Sequence, residues 1–538
     1  MSLLDRVNRV SDNKSVRRTW FGLAVAILVC IIVIPSIFVL TQIFTDWDAV
    51  SAVATSDEMP VILGAVWNSF SIAGIVTILD IIFGLPIAWI MVRRTFKGKK
   101  ILDTLLDLPL AFPTAVLGLS VLMFWGAPNG VTIPGLGFHL SPYVMMILLH
   151  LIFTYPYMVR SLSGILEQIE PNYETAAMTL GASRFTAVRT ITLPLFRAGL
   201  VTGFILCFAR SLSETGGTLI ALTIMGVETV FFTGPTYISE MGGDAERILI
   251  SAIMIVIALL LLVVVKAIIT KFHIKSETVW PELGRKLSRG FAPKAKDAVS
   301  IFFMIFIILV PSFYIFMYLG DSTSVDSGAL MESIGTSFLI AGVAVVFDII
   351  FGIPIAMYIA RHRNERLSKI LDTLVNIPLI VPTTALGFSL ALFWAAAVGD
   401  LIPTLVLVIL GHIAFTYPLV VRNITGAIQE VDPAYEETAM TLGAKPFQAF
   451  YKILLPTIKS SVIAGAILAF TRSLGETGAT VAIDQNIMTV PVYIVNLVKA
   501  GSEYYGQAAM CSIVLIIICF IFMMAVRLVT HRGEKKRD

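Results

Sequence analysis

The sequence predicts an all-α integral membrane protein in which two parallel repeats, each of six spanning helices, follow one another along one chain. The composition is the first observation, because 57% of the 538 residues are hydrophobic and only 14% are charged. A soluble domain of this size would need far more charge to cover its surface. About twelve apolar runs and an internal repeat are the other two observations.

The apolar runs are long enough to cross a bilayer, since about 20 residues in a helix span a hydrocarbon core about 30 Å thick. They begin near Trp20, Val61, Ile101, Pro142, Leu195, Ile248, Ile301, Ser333, Ile370, Leu401, Ile458 and Gln507. The first run is too long, and too poorly followed by a small-residue cleavage site, to be a removed signal peptide. We therefore predict that it is an anchoring helix.

The basic residues orient these helices, because Lys and Arg near helix ends favour the cytoplasmic side. If the N-terminus is inside, 35 of the 39 Lys and Arg fall on segments predicted to be cytoplasmic. Arg247 and Lys499 fall on outer loops, and Arg210 and Arg472 lie within the membrane. We therefore predict an inner or plasma membrane protein with both termini cytoplasmic. The net charge of +3 follows from this bias and gives no reason to invoke nucleic acid.

The internal repeat is direct. The stretch SFSIAGIVTILDIIFGLPIAWIMVRRT (69–95) matches SFLIAGVAVVFDIIFGIPIAMYIARHR (337–363) at 14 of 27 positions. Six helices in each copy give both copies the same orientation, related by an axis along the membrane normal. We divide the chain into a first half (1–270), a polar cytoplasmic linker (271–298) and a second half (299–538). A pathway on that axis would be lined by both halves.

One loop of each half, predicted to be cytoplasmic, has a recognisable sequence pattern. The loops are EPNYETAAMTLGASRFTAVRTITLP (170–194) and DPAYEETAMTLGAKPFQAFYKILLP (432–456). Each begins with an acidic residue and Pro, which favour a helix start. Gly181 or Gly443 then follows as a break or C-cap, and a second segment ends in Leu-Pro. The pattern predicts a helix-turn-helix on the cytoplasmic face.

These loops resemble the signature of the permease subunits of type I binding-protein-dependent ABC importers: Glu-Ala-Ala, three residues, Gly, nine residues, Ile, one residue, Leu-Pro. In the second half the signature falls on Glu437, Ala439, Gly443, Ile453, Leu455 and Pro456. In the first half it falls on Ala176, Ala177, Gly181, Ile191, Leu193 and Pro194, with Glu174 one place early. Thr175 stands where the signature has Glu, which bears on whether both halves contact the ATPase equally.

The resemblance implies the type I importer permease fold, with each loop acting as a coupling helix seated in a groove of a separate ATPase subunit. It also implies two copies of that ATPase and an external solute-binding protein as partners. The chain has no GxxxxGK[ST] loop, so ATP and Mg²⁺ are expected on the partner and no cofactor on this chain. No HExxH or GxSxG set appears either, and we predict that the chain is not an enzyme. Amphipathic packing on the membrane surface is the alternative for the loops.

The repeated stretches ARSLSETGGT (209–218) and TRSLGETGAT (471–480) place charge in apolar runs, where it is costly. Arg210 and Glu214, like Arg472 and Glu476, are four residues apart and share a helix face. The glycines that follow predict a broken helix.

Asp80 and Asp348 occupy matching places in the second helix of each half. One interpretation is a structural clamp, in which Asp80 pairs with Arg210 and Asp348 with Arg472. The other is a central pathway lined by the arginines, with the glutamates as fixed partners.

The substrate class has two conflicting cues. The RSLxETG pattern resembles the Arg-Ala-Leu-Gly-Glu stretch of molybdate, tungstate and sulfate permeases, and paired arginines suit an anion. Fused two-half permeases are similar in layout to those for ferric iron and thiamine. We predict an oxyanion importer, with iron or thiamine as the alternative and an ion-coupled secondary transporter as the alternative of another class. His150 and His412, at matching places, are predicted to be packing residues, and no metal site is predicted.

Overall fold

The computed structural model describes residues 13–126, 140–271, 291–320 and 325–534, and within these ranges the regular structure is helical. Most of the predicted linker (271–298) lies outside the described residues, as do residues 127–139 of the outer loop between the third and fourth predicted spans.

The helices of the first half are α1 (Lys14–Ile37), α2 (Met59–Arg93), α3 (Lys99–Ala111), α4 (Thr114–Trp125), α5 (Pro142–Gln168), α6 (Pro171–Thr179), α7 (Leu193–Leu212), α8 (Gly216–Met225), α9 (Gly234–Glu240) and α10 (Asp244–Lys271). Those of the second half are α11 (Lys294–Tyr318), α12 (Ser327–Arg361), α13 (Arg366–Ile380), α14 (Thr383–Val398), α15 (Thr404–Glu430), α16 (Ala434–Thr441), α17 (Leu455–Leu474), α18 (Gly478–Ile483), α19 (Val490–Ala500) and α20 (Tyr505–Glu534). The same succession of helices occurs twice, as the repeat predicts.

The described residues contain eight helices that are long and apolar enough to cross a membrane, and two further bent pairs that qualify together. Each of the predicted runs corresponds to one helix or to a broken pair, which confirms an all-α membrane protein.

The third run of each half is not the straight span that its hydropathy predicts. The pairs α3/α4 and α13/α14 are each bent by 107°. The bends fall at Phe112–Pro113 and Val381–Pro382. Proline has no N–H to continue the helix, and it pushes the preceding residue into an extended conformation. The bend also brings the first turns of α4 and α14 to the centre of the molecule.

The first helix of each half packs on the other half. Helix α1 lies against α12, α13, α14 and α15, while α11 lies against α2, α4 and α5. The two hydrophobic cores therefore each combine both halves: Met304, Ile308 and Ile315 are buried with the first half's central helices, and Leu28 and Ile32 with those of the second. Sequence similarity between the copies carries no information about this exchange.

A serine from the opposite half is inserted into each exchanged helix. Ser389 Oγ donates to the Pro35 carbonyl (2.7 Å) and accepts from the Val39 N–H (2.9 Å). Ser120 Oγ bridges the carbonyl of Pro311 (2.6 Å) and the N–H of Ile315 (3.0 Å) in the same way. A carbonyl and an amide four residues apart would otherwise bond each other directly. The serines thus bind the halves together through main-chain groups.

We expect the double variant Ser120→Ala/Ser389→Ala to lose about 1 kcal/mol of stability per site, since each buried hydroxyl takes two hydrogen bonds with it. The measurement is the thermal unfolding midpoint of the purified chain in detergent. Thr45→Ala, which removes an exposed hydroxyl bonded to its own helix, is the control. An unchanged midpoint in the double variant would mean that the helices close their own bonds and gain nothing from the serines.

Candidate translocation site and coupling loops

The fifth span of each half is broken at the predicted glycines. Helix α7 ends at Leu212 and α8 begins at Gly216, while α17 ends at Leu474 and α18 begins at Gly478. All ten residues from 211 to 220 are buried, as are all eight from 473 to 480. Main-chain groups at these breaks therefore need partners inside the protein.

In the first half, the repeated Arg and Glu provide some of the partners at the break. Arg210 Nη2 lies 3.1 Å from Glu214 Oε2, and Glu214 Oε1 accepts from the Gly217 N–H at 2.9 Å. Arg210 is in the last turn of α7 and Glu214 precedes the first turn of α8. Both charges therefore interact favourably with the helix dipoles. The carboxylate ties the end of one helix to the start of the next.

The second half repeats this arrangement. Arg472 Nη1 lies 2.5 Å from Glu476 Oε2, and Glu476 Oε1 accepts from the Ala479 N–H at 3.1 Å. Each guanidinium also stacks on an aromatic ring: Arg210 lies 5.0 Å from the Phe153 centroid and Arg472 lies 5.1 Å from that of Phe415. Cation–π contact adds to the hold on each arginine.

The interpretation in which each membrane aspartate pairs with an arginine is wrong, and the alternative that treats the glutamates as the partners of the arginines agrees with the structure. Within the described ranges, the ion pairs of Arg210 and Arg472 are with the glutamates four residues later. Asp80 is wholly buried beside Thr154, and the Thr154 carbonyl accepts from the Cys207 thiol. Asp348 accepts a hydrogen bond from the Thr416 hydroxyl at 2.7 Å.

A histidine bridges each break, a role beyond the packing that the sequence predicts. His150 Nδ1 lies 2.7 Å from Ser211 Oγ on α7, and its Nε2 lies 3.1 Å from Thr218 Oγ1 on α8. His412 makes the same contacts with Ser473 and Thr480, at 2.7 and 3.0 Å. The signal was present in the sequence, because these Ser and Thr recur at identical places in both charged stretches.

We expect His412→Phe to destabilise the protein by about 1–3 kcal/mol, because a ring of similar shape leaves two buried hydroxyls without their partner. Thermal unfolding of the purified chain measures this. His362→Phe is the matched control, since His362 is exposed at the C-terminal end of α12. Equal midpoints for the two variants would contradict the bridging role.

The two breaks interlock at the interface between the halves. A Cβ added to Gly216 would lie 2.4 Å from Thr477 Oγ1, and one added to Gly478 would lie 2.4 Å from Thr215 Oγ1. Thr215 Oγ1 is also 2.6 Å from Thr384 Oγ1 in the first turn of α14. Each break therefore rests against its counterpart, on the axis that relates the halves.

Both arginines line one small polar cavity of about 30 Å³ beside the breaks. Its walls come from both halves: Leu110, Phe112, Pro113, Thr114, Tyr157 and Arg210 from the first, and Leu468, Thr471, Arg472 and Gly475 from the second. This volume suits one or two water molecules. The two arginines therefore lie beside one narrow polar space that both halves line.

The two predicted loops form a short helix, a glycine turn and a second short helix. Gly181 and Gly443 end α6 and α16 in left-handed conformations, with φ of 91° and 92°. The N–H of Ala182 bonds back to the carbonyl of Ala177 at 3.1 Å, and Ala444 does the same to Ala439 at 2.9 Å. This is the C-cap that the sequence predicts, and glycine avoids the strain of positive φ.

Each loop is fixed to the end of the second span of its half by an arginine. Arg93 donates to the Ile169 carbonyl at 2.6 Å and lies 3.5 Å from Glu174. Arg361 donates to the Val431 carbonyl at 2.8 Å and lies 2.5 Å from Glu436. Glu174 therefore corresponds to Glu436 and holds the loop in place, whereas Glu437, at the signature position, is exposed.

The loops expose the same three apolar residues in both halves. Tyr173, Met178 and Leu180 are 53%, 40% and 90% exposed, and Tyr435, Met440 and Leu442 are 63%, 42% and 83% exposed. Sequence reasoning missed them, although the type is identical at each place. Among the signature residues, Ala176 and Pro456 are exposed, and Ala177, Leu193, Pro194, Ala439 and Leu455 are half-buried.

Comparison with known proteins decides the family. The family model described as "Binding-protein-dependent transport system inner membrane component" matches residues 80–276 and matches again at residues 352–534. The chain belongs to this family. Its two matches cover both halves from the second span onward, so the permease is a fused duplicate.

Individual permeases resemble parts of this chain. It is 33% identical to the molybdenum transport system permease protein ModB of Escherichia coli K12 over 207 residues, 37% of this chain and 90% of the relative. It is 32% identical to the sulfate transport system permease protein CysT of the same strain over 265 residues, 45% and 91% of the two chains. A probable transport system permease protein, NifC of Clostridium pasteurianum, is 30% identical over 259 residues, 45% and 89% of the two. One relative thus corresponds to about one half.

Proposed function

We propose that this permease is the membrane subunit of an ATP-driven ABC importer, and that its two halves form one pathway for a small inorganic oxyanion. An external binding protein delivers the oxyanion, and two copies of an ATPase subunit supply the energy. Within the family, such a subunit carries solute and catalyses no reaction of its own.

The single observation that carries the ATPase assignment is the pair of matched loops. Each loop exposes most of a leucine side chain beside a tyrosine and a methionine. These residues lie on a helical turn that an arginine of the second span holds in place. Exposed apolar clusters of this kind favour a protein partner. The same residue types occur on both loops, which favours two copies of one ATPase chain over two different partners. ATP and Mg²⁺ are held by those copies.

The substrate class is supported by the relatives, whose names specify molybdenum and sulfate transport. They favour a tetrahedral oxyanion over the ferric iron or thiamine suggested by the fused layout. The distribution of basic residues supports the proposed orientation, because Lys and Arg near helix ends favour the cytoplasmic side for the loops and both termini. A secondary transporter driven by an ion gradient is less well supported, because the matching family is dependent on binding proteins.

The experiment is reconstitution of the chain with its ATPase in liposomes, with ATP hydrolysis measured against a panel of loaded binding proteins. The binding proteins in this panel are loaded with molybdate, tungstate, sulfate, ferric iron or thiamine. We expect an oxyanion-loaded protein to stimulate hydrolysis and to drive uptake of the labelled ion. Stimulation by iron or thiamine alone would overturn the substrate class, and uptake without any ATPase would overturn the importer.

A further inference from the structure

We infer that the passing oxyanion is coordinated by Arg210 and Arg472 together, in the polar cavity that the two halves share. This inference rests on the proposed function, because it names where in the permease the oxyanion binds. Neither half forms the site alone: one guanidinium comes from α7 and the other from α17, and the remaining polar lining is also divided between the halves. The site is therefore complete only in the fused pair.

Both guanidiniums keep donors for a ligand. Each carries five N–H groups, and its described ion pair engages one nitrogen, Nη2 of Arg210 or Nη1 of Arg472. The side chains are 13% and 16% exposed, and that exposed surface faces the cavity. A planar fork of N–H groups matches two oxygens of an oxyanion, which a lysine ammonium cannot do.

The arginines are also held in position before any ligand arrives. Each is fixed by a glutamate on one side and by the face of a phenylalanine, Phe153 or Phe415, on another. The same glutamates accept hydrogen bonds from the first turns of α8 and α18. A movement of α8 or α18 is therefore transmitted through the glutamate to the guanidinium. Preorganised donors lose little entropy on binding.

The balance of positive and negative side chains at the site favours moderate affinity for the oxyanion, which suits transport better than tight binding. Two guanidiniums face two carboxylates, and Glu476 interacts with Arg210 as well as with Arg472. The site is close to neutral before the dianion enters, so its attraction for the ion is moderate. A transport site must bind strongly enough to admit the ion and weakly enough to release it.

The width of the cavity depends on how closely the two halves approach each other. Because its two walls belong to different halves, separation of the halves widens it and approach of the halves narrows it. In this structure the halves meet closely beside the cavity, since a Cβ added to Gly475 would lie 3.3 Å from the Pro113 Cα. Approach of the halves would therefore displace an ion that is bound between the arginines.

The test replaces both arginines by lysine in the full complex. Arg210→Lys/Arg472→Lys keeps each positive charge beside its glutamate, so a purely structural clamp is largely retained. We expect hydrolysis stimulated by the loaded binding protein to persist, while the oxyanions transported per ATP fall by about tenfold or more, as for loss of charge-assisted hydrogen bonds. Arg160→Lys/Arg422→Lys is the matched control, because these arginines of α5 and α15 pair with aspartates of α3 and α13, away from the cavity.

If the wild type transports the oxyanion and the double lysine variant transports it equally well, the arginine site is overturned but the proposed function is not. If the wild type itself takes up no oxyanion, the proposed function is overturned as well.

A second measurement does not depend on how the variant folds. Phenylglyoxal modification of the wild-type complex is followed by mass spectrometry of the peptides that contain Arg210 and Arg472. We expect molybdate to slow modification of both and chloride to leave it unchanged; equal rates with and without molybdate would contradict the site.

Discussion

Replacing Leu180 and Leu442 together by aspartate is expected to abolish copurification of the ATPase and to lower ATP-driven uptake by at least about 100-fold. Buried anchor residues at interfaces commonly cost 2 kcal/mol or more when truncated, and two such losses combine in this variant. A carboxylate in an apolar groove adds a desolvation cost. Since the two leucines are 90% and 83% exposed in the free chain, the change does not disturb its own packing.

The control is Leu401→Asp, an equally apolar residue that is 84% exposed on the side predicted to be external. We expect it to leave ATPase binding unchanged. The single variants settle whether the loops are equivalent, since Thr175 and Glu437 differ at the signature position while the exposed apolar residues match. Equal losses for Leu180→Asp and Leu442→Asp would support two equivalent contacts. Normal ATPase binding by the double variant would contradict the assignment of these loops.

The second large effect is expected for Gly118→Ala and Gly387→Ala, at equivalent positions in α4 and α14. A Cβ on Gly118 would lie 2.5 Å from the Gly217 Cα, and one on Gly387 would lie 2.7 Å from the Ala479 carbonyl oxygen. Both contacts are with main-chain atoms beside the break, which no side-chain rotation relieves. We expect about 3 kcal/mol of destabilisation for each variant and at least about a tenfold loss of uptake, as the helix after the break is displaced with its glutamate.

Gly74→Ala is the control for this prediction, because a Cβ at Gly74 in α2 meets nothing within 4 Å. An alanine there is expected to be neutral or slightly stabilising, since it has the higher helix propensity. Unfolding midpoints and uptake are measured for all three variants. If Gly118→Ala behaves like Gly74→Ala, the close approach of α4 to the break is not required for function.

Local features of the fold were predictable from the sequence. The spans follow from runs of apolar residues, the duplication from direct self-comparison, and the breaks from glycines that follow a charged stretch. The C-caps at Gly181 and Gly443 follow from the same kind of local chemistry. In each case the determining interaction lies within a few residues of the feature, so the sequence contains it.

Features that depend on contact between distant segments were not predictable in this way. Asp80 and Arg210 are plausible partners by charge, but the i+4 spacing and the helix dipoles already satisfy the arginine through Glu214. The exchange of α1 and α11 between the halves depends on how distant surfaces pack together. Alignment of the two copies does not show which half each of these helices packs against. The exposed leucines were overlooked because an apolar residue in an amphipathic loop is as easily interpreted as buried.

We propose that one chain supplies both halves of an ATP-driven pathway. The most direct measurement is the mass of the detergent-solubilised complex with its ATPase, determined by light scattering and native mass spectrometry under conditions in which the complex hydrolyses ATP. We expect one copy of this chain with two copies of the ATPase. Two copies of the chain in each active complex, or a single ATPase, would contradict it.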